Sequence, residues 1–324
     1  MWLLTLFLSF SVFAKFQPLD SELRSYPYPW PVLFYEVKFA GMPLKMAYMD
    51  IKPAKPNGQT IVLLHGKNFS GSYWEKTARD LAADGYRIII PDQIGFGKSS
   101  KPKTYAYTLQ ALAQNTQGIL KKYKISKAIV IGHSMGGMLG IRFALMYPET
   151  VTKLLLVNPI GLEDWKVKIP YHNVEESYQS ELKATADSFK KYQQDVYYAG
   201  KWKPEYDKGI EILAGWTLHP SYKEVAWSAA LTTDMVFTQP VIYEVGQLEM
   251  PTLLMVGTRD RTAVGKAWAS DKVKAELGRY DLLGKEVIAK IPQGKLVEIP
   301  DVGHMPMVEV YDQYLSHLKT FIQN

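Results

Sequence analysis

The sequence AIVIGHSMGG, residues 128–137, decides the fold of this 324-residue chain. Its first four residues are all apolar, which predicts a strand that is covered on both faces. A helical pattern, residues 135–147, follows at once. Ser134 must therefore occupy a sharp strand-to-helix turn, and Gly132 and Gly136 leave room for the neighbouring backbone segments. Such a turn exposes the serine hydroxyl beside the free N–H groups of a helix start.

Strands of the same kind recur along the chain. Runs rich in Ile, Val and Leu occupy residues 60–64, 87–91, 128–131, 153–157, 252–256 and 295–299. Helical patterns occupy residues 73–84, 109–123, 135–147 and 306–322. This alternation predicts an α/β fold with a mostly parallel, doubly wound sheet and right-handed crossovers. Before it, residues 32–39 and 44–51 alternate loosely in polarity, which predicts an antiparallel hairpin.

One interval interrupts the alternation of strands and helices. Residues 160–245 contain no strand-like run, but helical patterns occur around residues 174–198 and 220–231. Structureless loops of this length are uncommon in compact domains. We therefore expect a core domain made of residues 15–159 and 246–324, with a helical cap at residues 160–245, called the cap segment below.

The first residues predict an export signal. Residues 2–14, WLLTLFLSFSVFA, are apolar and uncharged, too short to span a bilayer but as long as a signal-peptide core. Val12 and Ala14 supply the small residues of a cleavage site, so residues 1–14 are predicted to be a signal peptide of a periplasmic or secreted protein. No stable membrane insertion is then expected after cleavage. Because no Lys or Arg precedes the apolar run, an uncleaved membrane anchor is the alternative.

Composition argues against several classes of protein. Lys and Arg number 38 against 32 Asp and Glu, a net charge of +6, and the basic residues are scattered, unlike a nucleic-acid-binding arm. The contents of 47% hydrophobic and 22% charged residues are those of a globular chain. Cysteine is absent, which excludes disulfides, thiolate metal sites and a cysteine nucleophile. The dispersed histidines and the lack of nucleotide or zinc motifs predict neither a metal nor a cofactor.

A serine hydroxyl needs an oriented base before it becomes a good nucleophile. His304 follows the last predicted strand, where its imidazole can reach over the strand ends. Asp260 follows the preceding strand and is the predicted orienting acid; Asp234 is the rival, but no predicted strand comes before it. The order Ser134, Asp260, His304 is that of α/β hydrolases and differs from the orders of the serine proteases.

These features resemble the α/β-hydrolase-fold superfamily, in particular a serine hydrolase with a helical cap. Residues 64–66, Leu-His-Gly, match the family, and residues 92–99, DQIGFGKS, are similar to its D-x-x-G-x-G-x-S pattern. The resemblance covers essentially the whole chain after the leader. It implies an oxyanion hole formed by the backbone N–H groups of Lys67 and Met135, with Asn68 as an alternative donor.

Serine at this strand-to-helix turn, the nucleophile elbow of the family, implies acyl chemistry. Family members that displace halide or open epoxides use an aspartate as the nucleophile instead. The prediction is a carboxylic-ester hydrolase that forms an acyl-enzyme with a small or medium apolar acyl substrate. Lactonase, peptidase, carbon–carbon bond hydrolase and cofactor-free haloperoxidase activities share the triad and stay open. So does a non-catalytic binding module with a vestigial site. The many aromatic residues of the cap segment predict an apolar pocket, with Trp165 among the contributors.

Overall fold

A single sheet organises the computed structural model, which describes residues 16–324. The predicted signal peptide, residues 1–14, lies outside the described residues. The eight strands of this sheet are β1 Val32–Phe39, β2 Met42–Ile51, β3 Thr60–Leu64, β4 Arg87–Pro91, β5 Ala128–His133, β6 Val151–Val157, β7 Thr252–Gly257 and β8 Gly294–Ile299. Their order is β1-β2-β4-β3-β5-β6-β7-β8. β2 is antiparallel to both of its neighbours, and all other pairs are parallel.

The helices that the structure describes pack on both faces of the sheet, and four of them lie between β6 and β7 in the sequence. They are α1 Glu75–Ala83, α2 Leu109–Lys122, α3 Met135–Met146, α4 Val174–Glu181, α5 Ala186–Tyr192, α6 Glu211–Thr217, α7 Tyr222–Thr238, α8 Asp271–Glu276, α9 Tyr280–Ile288, α10 Pro306–Glu309 and α11 Tyr311–Gln323. Two large apolar clusters lie on opposite faces of the sheet. Burial on both faces explains why β3, β5 and β7 are continuous apolar runs. The predicted α/β fold with a mostly parallel sheet is confirmed.

Three parts of the sequence-based secondary structure differ from the structure. The single helix predicted for residues 306–322 is divided at Val310, whose φ of −142° lies outside the helical region. Helices α8 and α9, between β7 and β8, were not predicted. Helix α6, in the cap segment, also lies outside the predicted helical patterns. All six predicted parallel strands are present.

The cap segment is helical, as expected. Within the described residues no strand lies between β6 and β7, and this interval holds α4 to α7 and a short π-helix, Gln193–Tyr197. Capping boxes that begin at Asn173 and Thr185 start α4 and α5. The boundaries at residues 160 and 245 stay predictions. Nowhere in residues 16–324 is a helix long and apolar enough to cross a bilayer.

Candidate active site

Ser134 lies on the turn between β5 and α3. Its φ of 56° and ψ of −121° are unusual for a residue other than glycine, so the turn is strained. A Cβ on Gly132 would lie 2.1 Å from the carbonyl oxygen of Gly136, and a Cβ on Gly136 would lie 2.2 Å from that of Leu64. Only glycine allows this close approach, so the glycine pattern fixes the serine at the carboxyl end of β5.

Asp260 and His304 are in direct contact. His304 Nδ1 donates to Asp260 Oδ2 over 2.7 Å, and both side chains are completely buried. Because a carboxylate can only accept, the proton of a neutral imidazole is held on Nδ1 and the lone pair is left on Nε2. This Nε2 atom is buried and has no hydrogen-bond partner among the described residues. It is therefore placed to accept a proton from another group.

Further hydrogen bonds hold the Asp260 carboxylate in its ionised form. The Thr262 N–H donates to Oδ1 over 2.8 Å, and Asn158 Nδ2 donates to Oδ2 over 2.8 Å. Burial raises the pKa of Asp260, but the electrostatic interaction with His304 and the hydrogen bonds from His304, Thr262 and Asn158 bring it below its usual value. The carboxylate is therefore suited to stabilise a positively charged imidazole.

Asn158 is a site residue that the sequence analysis did not single out. It follows β6 with φ 40° and is completely buried. Besides its bond to Asp260, its Nδ2 donates to the Gly303 carbonyl over 3.3 Å, and its Oδ1 accepts from the Gly257 N–H over 3.2 Å. Asn158 thus joins the ends of β6 and β7 to the loop that carries His304. A polar side chain directly after a continuous apolar strand was the available signal.

A partly buried ion pair also connects the Asp260 and His304 loops. Arg259 donates to the carboxylate of Glu309, whose other oxygen accepts from the Gly303 N–H over 2.8 Å. Burial raises the pKa of Glu309, although its contacts with Gly303 and Arg259 oppose that rise. Through Glu309, Arg259 beside Asp260 is therefore connected to Gly303 beside His304.

The predicted oxyanion donors lie on two sides of the elbow. Met135 is the first residue of α3, so its N–H has no partner within the helix. Lys67 follows Gly66, whose carbonyl accepts from His65 Nδ1 over 2.8 Å. The Gly66 carbonyl and the Lys67 N–H belong to one planar trans peptide and point in opposite directions. His65 therefore fixes the direction of the Lys67 N–H.

A cavity of about 460 Å³ opens over Ser134, between the core and the cap segment. Its aromatic wall residues are Phe189, Tyr192, Tyr197 and Trp268. The ring of Tyr197 also lies against the His304 imidazole, with centroids 4.6 Å apart. The cavity therefore extends from the serine to an aromatic residue that touches the histidine.

Comparison with known proteins identifies the family. A family model for the alpha/beta hydrolase fold matches residues 59–206. The crystal structure of a probable hydrolytic enzyme from Pseudomonas aeruginosa PAO1 is 47% identical, with a TM-score of 0.93, and the match covers 95% of this chain and 99% of that one. The chain belongs to the α/β-hydrolase family. It is accordingly a hydrolase, and its relatives imply small-molecule substrates.

Two lipases are similar to this α/β hydrolase over most of its length. Lipase 1 of Psychrobacter immobilis is 29% identical over 270 residues, which are 82% of this chain and 77% of the lipase. Lipase 3 of Moraxella sp. (strain TA144) is 28% identical over 270 residues, with the same two coverages of 82% and 77%. Both matches extend well beyond residues 59–206, so the similarity includes more than the region of the family model.

Trp165 of this α/β hydrolase does not line the cavity. The residue is only 3% exposed and belongs to the same buried core cluster as Met138 and Leu162. The indole of Trp165 therefore packs in this core cluster, and its role as a substrate-pocket residue stays a prediction. The cap-segment aromatics that do line the cavity come from α5 and the π-helix that follows it.

The cavity of the α/β hydrolase is also less apolar than predicted. Its wall includes the charged residues Lys67, Glu181, Lys183 and Lys266. Lys67 Nζ lies 3.6 Å from Glu181 Oε1, so an ion pair joins the predicted oxyanion loop to the end of α4. Aromatic content alone did not reveal these charges, which come from loops and helix ends distant in sequence.

Two remaining predictions concern other ionisable groups. Asp234, the rival acid, lies on α7 and accepts a hydrogen bond from the Tyr171 hydroxyl over 2.8 Å. His304 contacts Asp260 instead. Within residues 16–324, no group of three or more His, Asp or Glu side chains is arranged to hold a metal ion.

Proposed function

We propose that this α/β hydrolase is a serine carboxylic-ester hydrolase with Ser134 as nucleophile, His304 as base and Asp260 as orienting acid. The observation that carries the proposal is the buried hydrogen bond from His304 Nδ1 to Asp260, which leaves Nε2 free to accept a proton. Contact between the serine elbow and the His304 loop supports it. His133, the residue before Ser134, hydrogen-bonds the His304 carbonyl over 2.9 Å.

The proposed reaction forms an acyl-enzyme. The Ser134 hydroxyl oxygen attacks the ester carbonyl while His304 Nε2 takes its proton, and Asp260 stabilises the resulting imidazolium. The N–H groups of Lys67 and Met135 donate to the tetrahedral oxyanion. Collapse of that intermediate breaks the bond to the alcohol, which leaves with the proton from His304. Water then attacks the acyl-enzyme by the same steps, releasing the acid and restoring the serine.

The proposed substrate is an ester with a small or medium apolar acyl group. The volume of about 460 Å³ is within the range of small-molecule pockets, roughly 300–1,000 Å³. The aromatic wall can pack against an acyl chain, and the two lipase relatives favour ester substrates. The charged residues of the cavity wall do not favour a peptide, a lactone or a carbon–carbon bond as the substrate over an ester.

Export stays part of the proposal. We propose that residues 1–14 are removed as a signal peptide and that the mature chain is periplasmic or secreted. Mass spectrometry of the mature protein should find Lys15 at the N-terminus. Retention of Met1 or of the whole apolar run would instead favour a membrane anchor.

Hydrolysis rates over p-nitrophenyl esters of graded acyl length test the proposed activity. We expect turnover of short and medium esters, with a nitroanilide of the same acyl group and a lactone turned over far more slowly. Faster turnover of the lactone or the amide would reassign the reaction. No reaction with a fluorophosphonate, which labels only an activated serine, would favour the non-catalytic binding module.

Replacement of Phe189 by alanine should change acyl-chain selectivity. The phenyl ring of Phe189 lines the cavity, so its removal makes room for a longer acyl chain. We expect the ratio of kcat/KM for octanoate over butyrate esters to rise about tenfold. Tyr171→Ala is the control, since Tyr171 is a cap-segment aromatic that is 56% exposed and does not line the cavity. Equal ratios in wild type and Phe189→Ala would remove α5 from acyl recognition.

Asn158→Ala should slow turnover by releasing Asp260 and the His304 loop. Small displacements of catalytic groups cost about 10²-fold in rate, so we expect kcat to fall by about that factor. The unpaired partners should also lower the free energy of unfolding by about 1–3 kcal/mol. Asn115→Ala is the matched control, because Asn115 is a buried asparagine that bonds the Tyr105 hydroxyl away from the site. If both variants kept wild-type kcat, Asn158 would have no positioning role.

A further inference from the structure

A chain of hydrogen bonds crosses the site behind Ser134, through the half-buried Tyr73 and the completely buried His133. The Gly66 N–H donates to the Tyr73 hydroxyl over 3.3 Å. That hydroxyl lies 3.1 Å from His133 Nδ1. His133 Nε2 in turn lies 2.9 Å from the carbonyl oxygen of His304. The chain therefore begins next to the predicted oxyanion donor Lys67 and ends on the proposed base.

Chemistry fixes the direction of every bond in this chain. The His304 carbonyl can only accept, so His133 Nε2 carries a proton and donates it. Burial lowers the pKa of His133 to about 3, so the ring is neutral and its Nδ1 has no proton. Burial also raises the pKa of Tyr73, so the hydroxyl keeps its proton and donates it to Nδ1. All the donors consequently point from Gly66 towards His304.

The ends of the chain belong to loops that are far apart in the sheet. Gly66 follows β3 and His304 follows β8, and three other strands, β5, β6 and β7, lie between these two. His133 is the last residue of β5, directly before Ser134. Its ring also packs against the His304 ring, with centroids 4.9 Å apart. The chain therefore spans the distance between the two loops at the position of the nucleophile.

Neither Tyr73 nor His133 lines the cavity above Ser134. Both lie behind the reacting groups, in an aromatic cluster with Phe69 and Trp74. His65 already fixes the peptide that follows Gly66, and Tyr73 accepts from the peptide that precedes it. Together they orient both peptides around Gly66, which determines where the Lys67 N–H lies.

We infer that Tyr73 and His133 are positioning residues that hold the oxyanion loop and the His304 loop at a fixed separation. The inference rests on the proposed function, in which the Lys67 N–H is an oxyanion donor and His304 is the base. The oxyanion must be met by the Lys67 N–H at the moment when His304 holds the serine proton, so the two loops have to be correctly placed together. Loss of the chain should slow the chemical step without weakening substrate binding.

Tyr73→Phe tests this inference because it removes one oxygen and keeps the aromatic packing. We expect kcat for a p-nitrophenyl ester to fall about tenfold, with KM within twofold of wild type. A trifluoromethyl ketone, which forms a tetrahedral adduct with the serine, should bind about tenfold more weakly. Tyr314→Phe is the matched control, because Tyr314 is a completely buried tyrosine whose hydroxyl lies near Thr77, outside the chain. Tyr314→Phe should keep the wild-type kcat and the wild-type affinity for the trifluoromethyl ketone.

A pair of variants at His133 provides a second test. Glutamine can place an amide N–H near the position of Nε2 and donate to the His304 carbonyl, whereas leucine of similar size cannot. We expect His133→Gln to retain more of the kcat than His133→Leu, by about tenfold, at equal thermal stability. Equal kcat values in these two variants would overturn the inference, as would an unchanged kcat or a raised KM alone in Tyr73→Phe.

Fluorophosphonate labelling separates this inference from the proposed function. A wild-type protein that is not labelled contradicts the proposed function itself. If the wild type is labelled and Tyr73→Phe is labelled about tenfold more slowly to the same final extent, the positioning role is supported. Equal labelling rates in the two proteins would contradict the positioning role while leaving the proposed nucleophile in place.

Discussion

Ser134→Ala is expected to lower kcat for ester hydrolysis by about 10⁴–10⁶-fold, the usual loss for the nucleophile of a triad. The substitution removes only the hydroxyl oxygen that attacks the carbonyl. Alanine has the same Cβ as serine and meets the same strain at φ 56°, so the elbow should keep its shape. Thermal unfolding should therefore match wild type. Initial rates on p-nitrophenyl butyrate, with purified protein, measure the loss.

Ser228→Ala provides a matched control for Ser134→Ala. Ser228 is a buried serine on α7 whose hydroxyl accepts from Tyr107 over 3.3 Å. Its replacement should change kcat less than twofold, because it removes a buried hydroxyl outside the site. A loss of less than tenfold in Ser134→Ala would remove this residue from the mechanism.

Asp260→Asn is expected to lower kcat by about 10⁴-fold, as replacement of the acid does in serine proteases. The amide loses the negative charge that stabilises the imidazolium. It also carries a donor where the carboxylate offers two acceptors, so an amide N–H faces either the Thr262 N–H or the donors Asn158 and His304. If it faces His304, the imidazole proton moves to Nε2 and the base is lost.

Asp234→Asn is the comparison that makes this prediction specific. Asp234 lies on α7, where its carboxylate accepts from the Tyr171 hydroxyl. Its replacement should therefore change kcat less than threefold. The rates of both variants, measured beside each other with circular dichroism as a check on folding, decide between the two acids. A larger loss in Asp234→Asn than in Asp260→Asn would reverse the assignment.

The strands could be predicted because burial on both faces leaves a local pattern of continuous apolar residues. Helix α9 has apolar residues at helical spacing, at positions 280, 283, 287 and 288, but they were not recognised as a helix. It contains Gly284, a poor helix former, yet a Cβ there would lie 3.1 Å from Val256, so glycine allows close packing on β7. Helix α8 has only six residues, DKVKAE, and buries none of them, so no apolar stripe could indicate it. For α9 the close packing of Gly284 on β7 favours the helix, whereas α8 begins at a local N-cap, the Ser270 hydroxyl that accepts from the Val273 N–H.

The proposed catalytic residues could be located because each lies at or within a few residues of the carboxyl end of a parallel strand, where the ends of neighbouring strands converge. Asn158 directly follows β6 and could have been found by the same rule. Tyr73 could not, because it lies in a short 3₁₀ turn, Gly71–Trp74, and only the fold brings its partners together. Aromatic composition likewise does not say which side of a segment faces a cavity, and Trp165 packs in the core cluster rather than along the cavity over Ser134.

Ser134 as the nucleophile is tested most directly by labelling the purified protein with a fluorophosphonate and locating the adduct by peptide mass spectrometry. The expected result is one label per chain, carried by Ser134, with complete loss of esterase activity. Ser134→Ala should then take up no label. A label on another residue with loss of activity, or full activity in a protein that is not labelled, would contradict the proposed mechanism.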